Sequence, residues 1–233
     1  MLINSKISEI AGIVLGDGHI HTKHNLITIT GSIEDLDYYQ NHVCKIINTK
    51  FNVNPKIKRR NDRNSYYIMI YSKGLINYLT NKMGLKRGSK DTAEVPQIIS
   101  SNKKLIPYFL RGLFDTDGCI KFSKQGSNLN YYPRVQIALK KSPLAYQLAE
   151  LFKTLNFNYG TWEENRFNGI VYYQISGKEN LEKWFKEISP KNQVHLTKHL
   201  FWKKFGYCPP KSTLKFRKSR LLLQEPKRKV KKV

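Results

Sequence analysis

The chain has 233 residues, 41 of them Lys or Arg against 17 Asp or Glu, for a formal net charge of +24. Its 40% hydrophobic content can build a core, which excludes a globally disordered chain, and its charge calls for a polyanionic partner, because Lys and Arg that neutralise phosphates release counterions. The three scattered cysteines, Cys44, Cys119 and Cys208, argue against a disulfide framework or a paired-cysteine zinc site, and MLINSKISEI holds no long apolar leader, so an intracellular setting (nucleoid, cytoplasm or organelle matrix) is expected.

In chain order, Ile7, Ile10, Ala11, Val14 and Leu15 recur at three- and four-residue steps, which predicts a helix with an apolar face. After Gly18 the period changes to two: His19-Ile20-His21 and Leu26–Thr30 read as half-buried strands. Glu34 to Thr49 returns to helical spacing. Lys56–Lys58 and Tyr66–Tyr71 form a strand pair with Arg60–Asn64 as its turn, and Gly74–Met83 is a short helix. Residues 84–103 read as a linker. A second helix is predicted around Ile106, Leu110, Leu113 and Phe114, followed by strands at Ile120–Ser123 and Tyr132–Leu139 and a helix at Pro143–Leu155. Tyr159–Arg166 and Ile170–Ser176 make a hairpin around Asn168-Gly169, a strong turn signal, and Lys178–Ile188 is a helix. Asn192–Phe205 adds one more helix, and Pro209-Pro210 begins a basic tail. The fold class is therefore α+β, with two α-β-β-α-β-β-α repeats. The expected domains are a first repeat at 1–83, the linker at 84–103, a second repeat at 104–206 and the tail at 207–233.

Two nonapeptides explain why the order repeats. Ile10–Gly18 reads IAGIVLGDG and Leu110–Gly118 reads LRGLFDTDG. Gly12 and Gly112 sit inside apolar helix patterns, where glycine costs roughly 1 kcal/mol relative to alanine. Small residues four apart, Gly12 with Gly16 and Gly112 with Thr116, let two helix backbones approach closely. Gly12 and Gly112 are thus the expected helix interface. Each copy then ends in a carboxylate, Asp17 or Asp117, where the helix dipole disfavours negative charge. Gly18 and Gly118 are expected to take the left-handed turn that stops a helix. Two packed copies would bring two carboxylates and exposed main-chain carbonyls together. Such hard oxygens suit Mg²⁺, and Mn²⁺ or Ca²⁺ could occupy the same place.

The two segments resemble the paired motif of the LAGLIDADG homing endonucleases in their single-chain form. Three departures stand out: Leu15 at the first Asp place, Gly16 and Thr116 at the second Ala place, and Arg111 at the first Ala place. The resemblance implies a monomer with an internal pseudo-twofold axis between the motif helices. It implies two antiparallel sheets forming a saddle on double-stranded DNA, with one active site per strand cutting across the minor groove. Asp17 and Asp117 are then the metal ligands and catalytic carboxylates, helped by the main-chain oxygens of Gly16 and Thr116.

A basic residue near each scissile phosphate would assist the transition state. Lys73 and Lys178, each just past the last strand of its repeat, are assigned that role, with Lys121 and Lys140 as competitors. The strand faces supply candidates for reading base edges, since a strand ribbon fits the major groove. By parity these are His19, His21, Thr28, Thr30, Lys56, Lys58, Arg60, Lys121, Arg134, Gln136, Lys140, Tyr172 and Gln174. Asp115, with no counterpart in the first copy, is expected to cap or orient.

The reading is a site-specific, metal-dependent DNA endonuclease of the intron-homing kind, a hydrolase making double-strand breaks in a long target. The alternatives are an intron RNA maturase on the same fold, or a non-catalytic DNA-binding regulator. An intein origin is disfavoured by the Met1 start and the Lys-Lys-Val end. Pro226–Lys232, PKRKVKK, resembles a nuclear localisation signal, with a nonspecific DNA clamp or a disordered end as the equal alternative.

Overall fold

A computed structural model describes residues 2–165 and 169–223. Asn168 of the expected hairpin turn and the Pro226–Lys232 segment lie outside the described residues.

Helix α1 (Ser5–Leu15) starts where the Asn4 side chain accepts from the Ile7 amide at 3.2 Å, a side-chain cap that satisfies an orphan donor. Strands β1 (Gly18–Ile20) and β2 (Leu26–Ser32) follow. A helical run over 33–51 contains α2 (Leu36–Tyr38) and α3 (Cys44–Phe51), joined by a wide π turn at Tyr39–Val43. Strands β3 (Lys56–Arg59) and β4 (Ser65–Tyr71) and helix α4 (Lys73–Asn77) close the first repeat. The 84–103 segment is irregular apart from one turn, α5 (Gln97–Ser100).

The second repeat runs α6 (Ile106–Asp117), β5 (Gly118–Ser123), β6 (Tyr132–Lys140), α7 (Pro143–Thr154), β7 (Gly160–Glu164), β8 (Ile170–Ser176) and α8 (Lys178–Glu187). Helices α9 (Gln193–Phe205) and α10 (Leu214–Leu222) follow. Helix α10 falls inside the stretch read as a tail, because Arg217 supplies a buried anchor that a count of charges does not show.

Each repeat holds one antiparallel four-stranded sheet, ordered β1-β2-β4-β3 and β5-β6-β8-β7. Their registers match: Gly18 faces Ile29 in the first, and Gly118 faces Ile137 in the second. Period-two patterning decides the faces. Ile27, Ile29, Ile68 and Ile70 are fully buried on one side of the first sheet, and Val135, Ile137, Val171, Tyr173 and Ile175 are buried in the second. The second core is more aromatic, with Trp184 packed on Phe114, Phe152 and Phe157.

The two repeats meet through α1 and α6, which pack against each other along their length. A Cβ on Gly12 would collide with the Phe109 carbonyl and stand 2.9 Å from the Leu113 amide nitrogen. A Cβ on Gly112 would collide with the Glu9 carbonyl and stand 2.9 Å from the Ile13 amide nitrogen. The pairing is reciprocal, as a twofold axis requires.

Gly18 and Gly118 do not make the left-handed turn expected of them. Neither has a positive φ, and Gly118 is extended at φ −90° and ψ 165°. Their lack of a side chain serves close approach instead. The chain doubles back over its own helix, so a Cβ on Gly18 would lie 2.6 Å from Val14 Cα, and one on Gly118 would lie 2.5 Å from the Phe114 carbonyl oxygen.

Candidate active site at the helix junction

The turn just after α1 and the last turn of α6 carry Asp17 and Asp117 to one end of this interface. Gly16 lets them approach: a Cβ there would run into the Thr116 hydroxyl and lie 2.6 Å from Asp117 Oδ2. Burial raises the Asp17 carboxyl, with the Asp117 charge the next cause, to about 7. Burial also raises Asp117, to about 6, against the pull of the Lys90 ammonium. Among the described residues no three His, Cys, Asp or Glu side chains cluster as a metal site. The donor set is instead two carboxylates and a carbonyl, all hard oxygens, and this fits a divalent cation.

Three neighbours shape the pair. The Tyr39 hydroxyl donates to Asp17 Oδ2 at 3.2 Å. The Lys90 ammonium donates to the Gly16 carbonyl and feels the charge of both carboxylates. Thr116 turns its hydroxyl back onto the Gly112 and Leu113 carbonyls, at 3.1 and 3.0 Å. Beside Asp117 lies a cavity of about 170 Å³ lined by Lys90, Leu139 and Lys140.

Lys73 and Lys178 are not brought to this junction. Both are exposed at the helix starts that follow β4 and β8. Strand register explains the separation. Gly118 is level with Ile137 and Tyr173, whereas the strand leading to Lys178 ends at Ser176, three residues farther along. At about 3.3 Å per residue that is roughly 10 Å. Likewise β4 ends at Tyr71, opposite Leu26, while Gly18 is level with Ile29 and Ile68.

The strand-face candidates lie on two surfaces. In the first sheet, His19, Thr28, Met69 and Lys56 form one row across the strands, and Thr30, Tyr67 and Lys58 form the next. His21 bonds the Thr28 hydroxyl at 3.3 Å and stands edge-on to His19. Arg60 lies beyond β3, clasped by Asp62 at 2.9 and 2.7 Å. In the second sheet Cys119, Gln136 and Gln174 share a row, as do Lys121, Arg134 and Ser176. Gln136 is buried, holding the Lys121 ammonium through its side-chain oxygen. Tyr172 stacks on Trp162 with rings 5.1 Å apart. Lys140 pairs with Asp91 at 2.5 Å, so it reaches toward the linker.

Two residues beside the carboxylates, Tyr39 and Lys90, left no mark in the sequence pattern. Tyr39 reads as one more apolar helix position, and Lys90 as one lysine in a basic linker. Arg111, the departure at the first Ala place, has a partner across the interface: it reaches buried Glu9 at 3.4 Å, which also binds His42 at 2.5 Å. Asp115 is buried, and its Oδ2 accepts from the Lys191 amide at 2.7 Å. Burial raises its carboxyl to about 8.

A chain of two α-β-β-α-β-β-α repeats, joined glycine to backbone with paired carboxylates at the joint, belongs to the class of pseudo-twofold α+β proteins with one antiparallel sheet per repeat. Residues 105–189, within the second repeat, match the LAGLIDADG-like domain family, and the two repeats together have the LAGLIDADG fold. The homing endonuclease I-DmoI in complex with DNA and Mn superposes with a TM-score of 0.55 at 18% identity, over 80% of this chain and 98% of that one. The N-terminal LAGLIDADG domain of DUF199/WhiA superposes with a TM-score of 0.53 at 18% identity, over 81% and 82%. A glutamine–fructose-6-phosphate aminotransferase of Methanocaldococcus jannaschii is 30% identical over 119 residues, half of this chain and 10% of that protein. An uncharacterised protein of the same organism is 22% identical over 168 residues, 70% of this chain and 60% of that one. The chain thus spans less than two thirds of either curated relative. No helix among the described residues is long and apolar enough to cross a membrane.

Proposed function

We propose that the protein is a divalent-metal-dependent DNA endonuclease that cuts both strands of a specific, long duplex target. The observation that carries this reading is the convergence of Asp17 and Asp117 at the α1–α6 joint, two carboxylates held in place despite burial and mutual repulsion. A bound Mg²⁺ or Mn²⁺ would neutralise that charge, activate water and stabilise the leaving oxygen. Asp17, Asp117 and the Gly16 carbonyl would hold it. The two strand faces would lie along the duplex, with His19, Thr28, Thr30, Lys56, Lys58, Gln174 and Lys121 toward the grooves and backbone. Positive charge would dominate binding, with an affinity that falls steeply with salt.

The test is cleavage of a target selected from a randomised duplex library, with Mg²⁺ present. Asp17→Asn or Asp117→Asn should reduce double-strand cutting to nicking of one strand, and the double variant should bind without cutting. Unchanged cutting in both single variants would overturn the assignment.

The likeness to DUF199/WhiA, at a TM-score of 0.53 beside 0.55 for the endonuclease, supports a second reading: a DNA-binding protein that does not cut. A wild-type chain that binds its selected duplex and never cleaves it with Mg²⁺ or Mn²⁺ would establish that reading.

A further inference from the structure

The linker is more than a tether. Arg87 donates to the His21 and His24 carbonyls at 3.1 and 3.2 Å, and the Gly88 amide donates to the Ile20 carbonyl at 2.8 Å, so its front is fastened to the first repeat. Asp91 pairs with Lys140, the Ala93 carbonyl accepts from the Leu144 amide at 2.7 Å, and the Val95 amide donates to the Gln147 side chain at 2.7 Å. Its back is therefore fastened to the second repeat. Lys90 sits between these anchors. Its half-buried ammonium enters the joint between the repeats and donates to the Gly16 carbonyl. Of the described cations it is the one whose charge bears on both Asp17 and Asp117.

From this geometry we infer that Lys90 is a tethered counter-ion, delivered by the linker to the oxygen cluster where a divalent ion would bind, and that the two cations compete. The inference rests on the reading of Asp17 and Asp117 as cation ligands. An ammonium and a divalent ion cannot share the Gly16 carbonyl and the space between two carboxylates, because like charges that close repel strongly in a partly buried setting. Binding of the ion must move the Lys90 side chain, and its flexible four-carbon stem allows that while the linker backbone stays anchored. Without the ion, the ammonium offsets the repulsion that packing α1 on α6 builds up.

The experiment compares the full-length wild type with Lys90→Met, and with Lys90→Gln as a milder change, each alone and combined with Asp17→Asn and Asp117→Asn. Calorimetric titration with CaCl₂ should show Lys90→Met binding Ca²⁺ roughly tenfold more tightly than wild type, since one competing charge is gone. In EDTA, Lys90→Met should lower the urea midpoint, and the two Asn substitutions should abolish that loss. Equal or weaker Ca²⁺ binding by Lys90→Met and Lys90→Gln, with wild type binding normally, would overturn the inference and leave the metal reading intact. So would a stability loss of the same size with or without the carboxylates. If neither wild type nor Lys90→Met shows more Ca²⁺ heat than the double Asn variant, the metal reading itself fails.

Discussion

The Tyr39 hydroxyl donates to Asp17, and among the described residues Asp117 receives no such bond. The asymmetry has a steric origin. The Tyr39 ring crosses β2 over Gly31, where a Cβ would collide with it. Counting from the matched pairs Gly18–Ile29 and Gly118–Ile137, the second sheet has Leu139 at that level. There a buried, bulky Leu139 stands in place of a glycine. The π turn at Tyr39–Val43 begins at this residue, and it lets consecutive Tyr38 and Tyr39 both face inward.

Tyr39→Phe should therefore separate the two strands' fates. The ring stays, and a hydrogen bond to a charged group worth about 1.5–3 kcal/mol is lost. On the proposed endonuclease reading, the strand assigned to Asp17 should be cut about tenfold more slowly, so nicked plasmid should accumulate on a supercoiled substrate carrying the selected site. Equal slowing of both strands would show that the phenol acts only through packing.

Gly12→Ala and Gly112→Ala test the joint. Alanine gains roughly 1 kcal/mol of helix propensity over glycine. Here the new methyl meets a partner helix's backbone carbonyl, which cannot swing aside as a side chain can. Overpacking costs typically 1–3 kcal/mol or more, so it outweighs the gain. Net of that gain, urea denaturation should show both variants destabilised by up to about 2 kcal/mol. Gly160→Ala, with nothing within 4 Å of its added methyl, should be nearly neutral.

The raised carboxyls predict how metal-free stability follows pH. A carboxyl whose folded pKa exceeds its unfolded value binds its proton more tightly when folded. For Asp17 and Asp117 the stabilisation is complete below about pH 4 and is lost as pH rises through about 6 and 7. Asp115 extends the loss to about 8. Burial depresses His195 to about 3, which has the opposite sign, but that effect ends near pH 6.5, where the unfolded imidazole also becomes neutral. Between pH 6.5 and 8, then, the denaturation midpoint in EDTA should fall. Divalent affinity should rise over the same interval, because binding requires the ionised carboxylates. A midpoint that climbs across this interval would refute the raised values.

Arg217 tests the last helix. It is fully buried, and its guanidinium donates to the Thr197 hydroxyl at 3.0 Å, to the Ser212 carbonyl and to the Val194 carbonyl at 3.5 Å. At the helix start, Glu34 of the first repeat accepts from the Leu214 amide at 2.7 Å. Arg217→Ala would leave a cavity and unpaired acceptors, at a cost of about 2–5 kcal/mol. Amide exchange over 214–222 should accelerate while α1 and α6 stay protected. Global loss of protection would mean that α10 is part of the cooperative core.

Much of the architecture was legible before any coordinates. The change of period from helical to alternating after Gly18, and again after Gly118, marked where each motif helix gives way to a strand. The alternation of Ile27 and Ile29 with Thr28 and Thr30 marked the buried and open faces of that strand. These features are local: side-chain period reports backbone geometry directly. The doubled glycine within an apolar helix pattern likewise announced a helix contact, since nothing else offsets its propensity cost.

The tertiary structure alone decided the chemistry around the carboxylates. Tyr39 lies 22 residues from Asp17. Lys90 lies 74 residues from Gly16, in a linker whose three other basic residues, Lys86, Arg87 and Lys103, give no reason to prefer it. Arg111 finds Glu9 only because α1 and α6 cross. Lys73 and Lys178 looked well placed because they follow the last strands, but register carries those strand ends away from the joint. A sequence records which residues can face the same way along one element. Which cation meets which carboxylate depends on how separate elements are stacked, and that is set by packing at Gly12 and Gly112 and by the anchors of the linker.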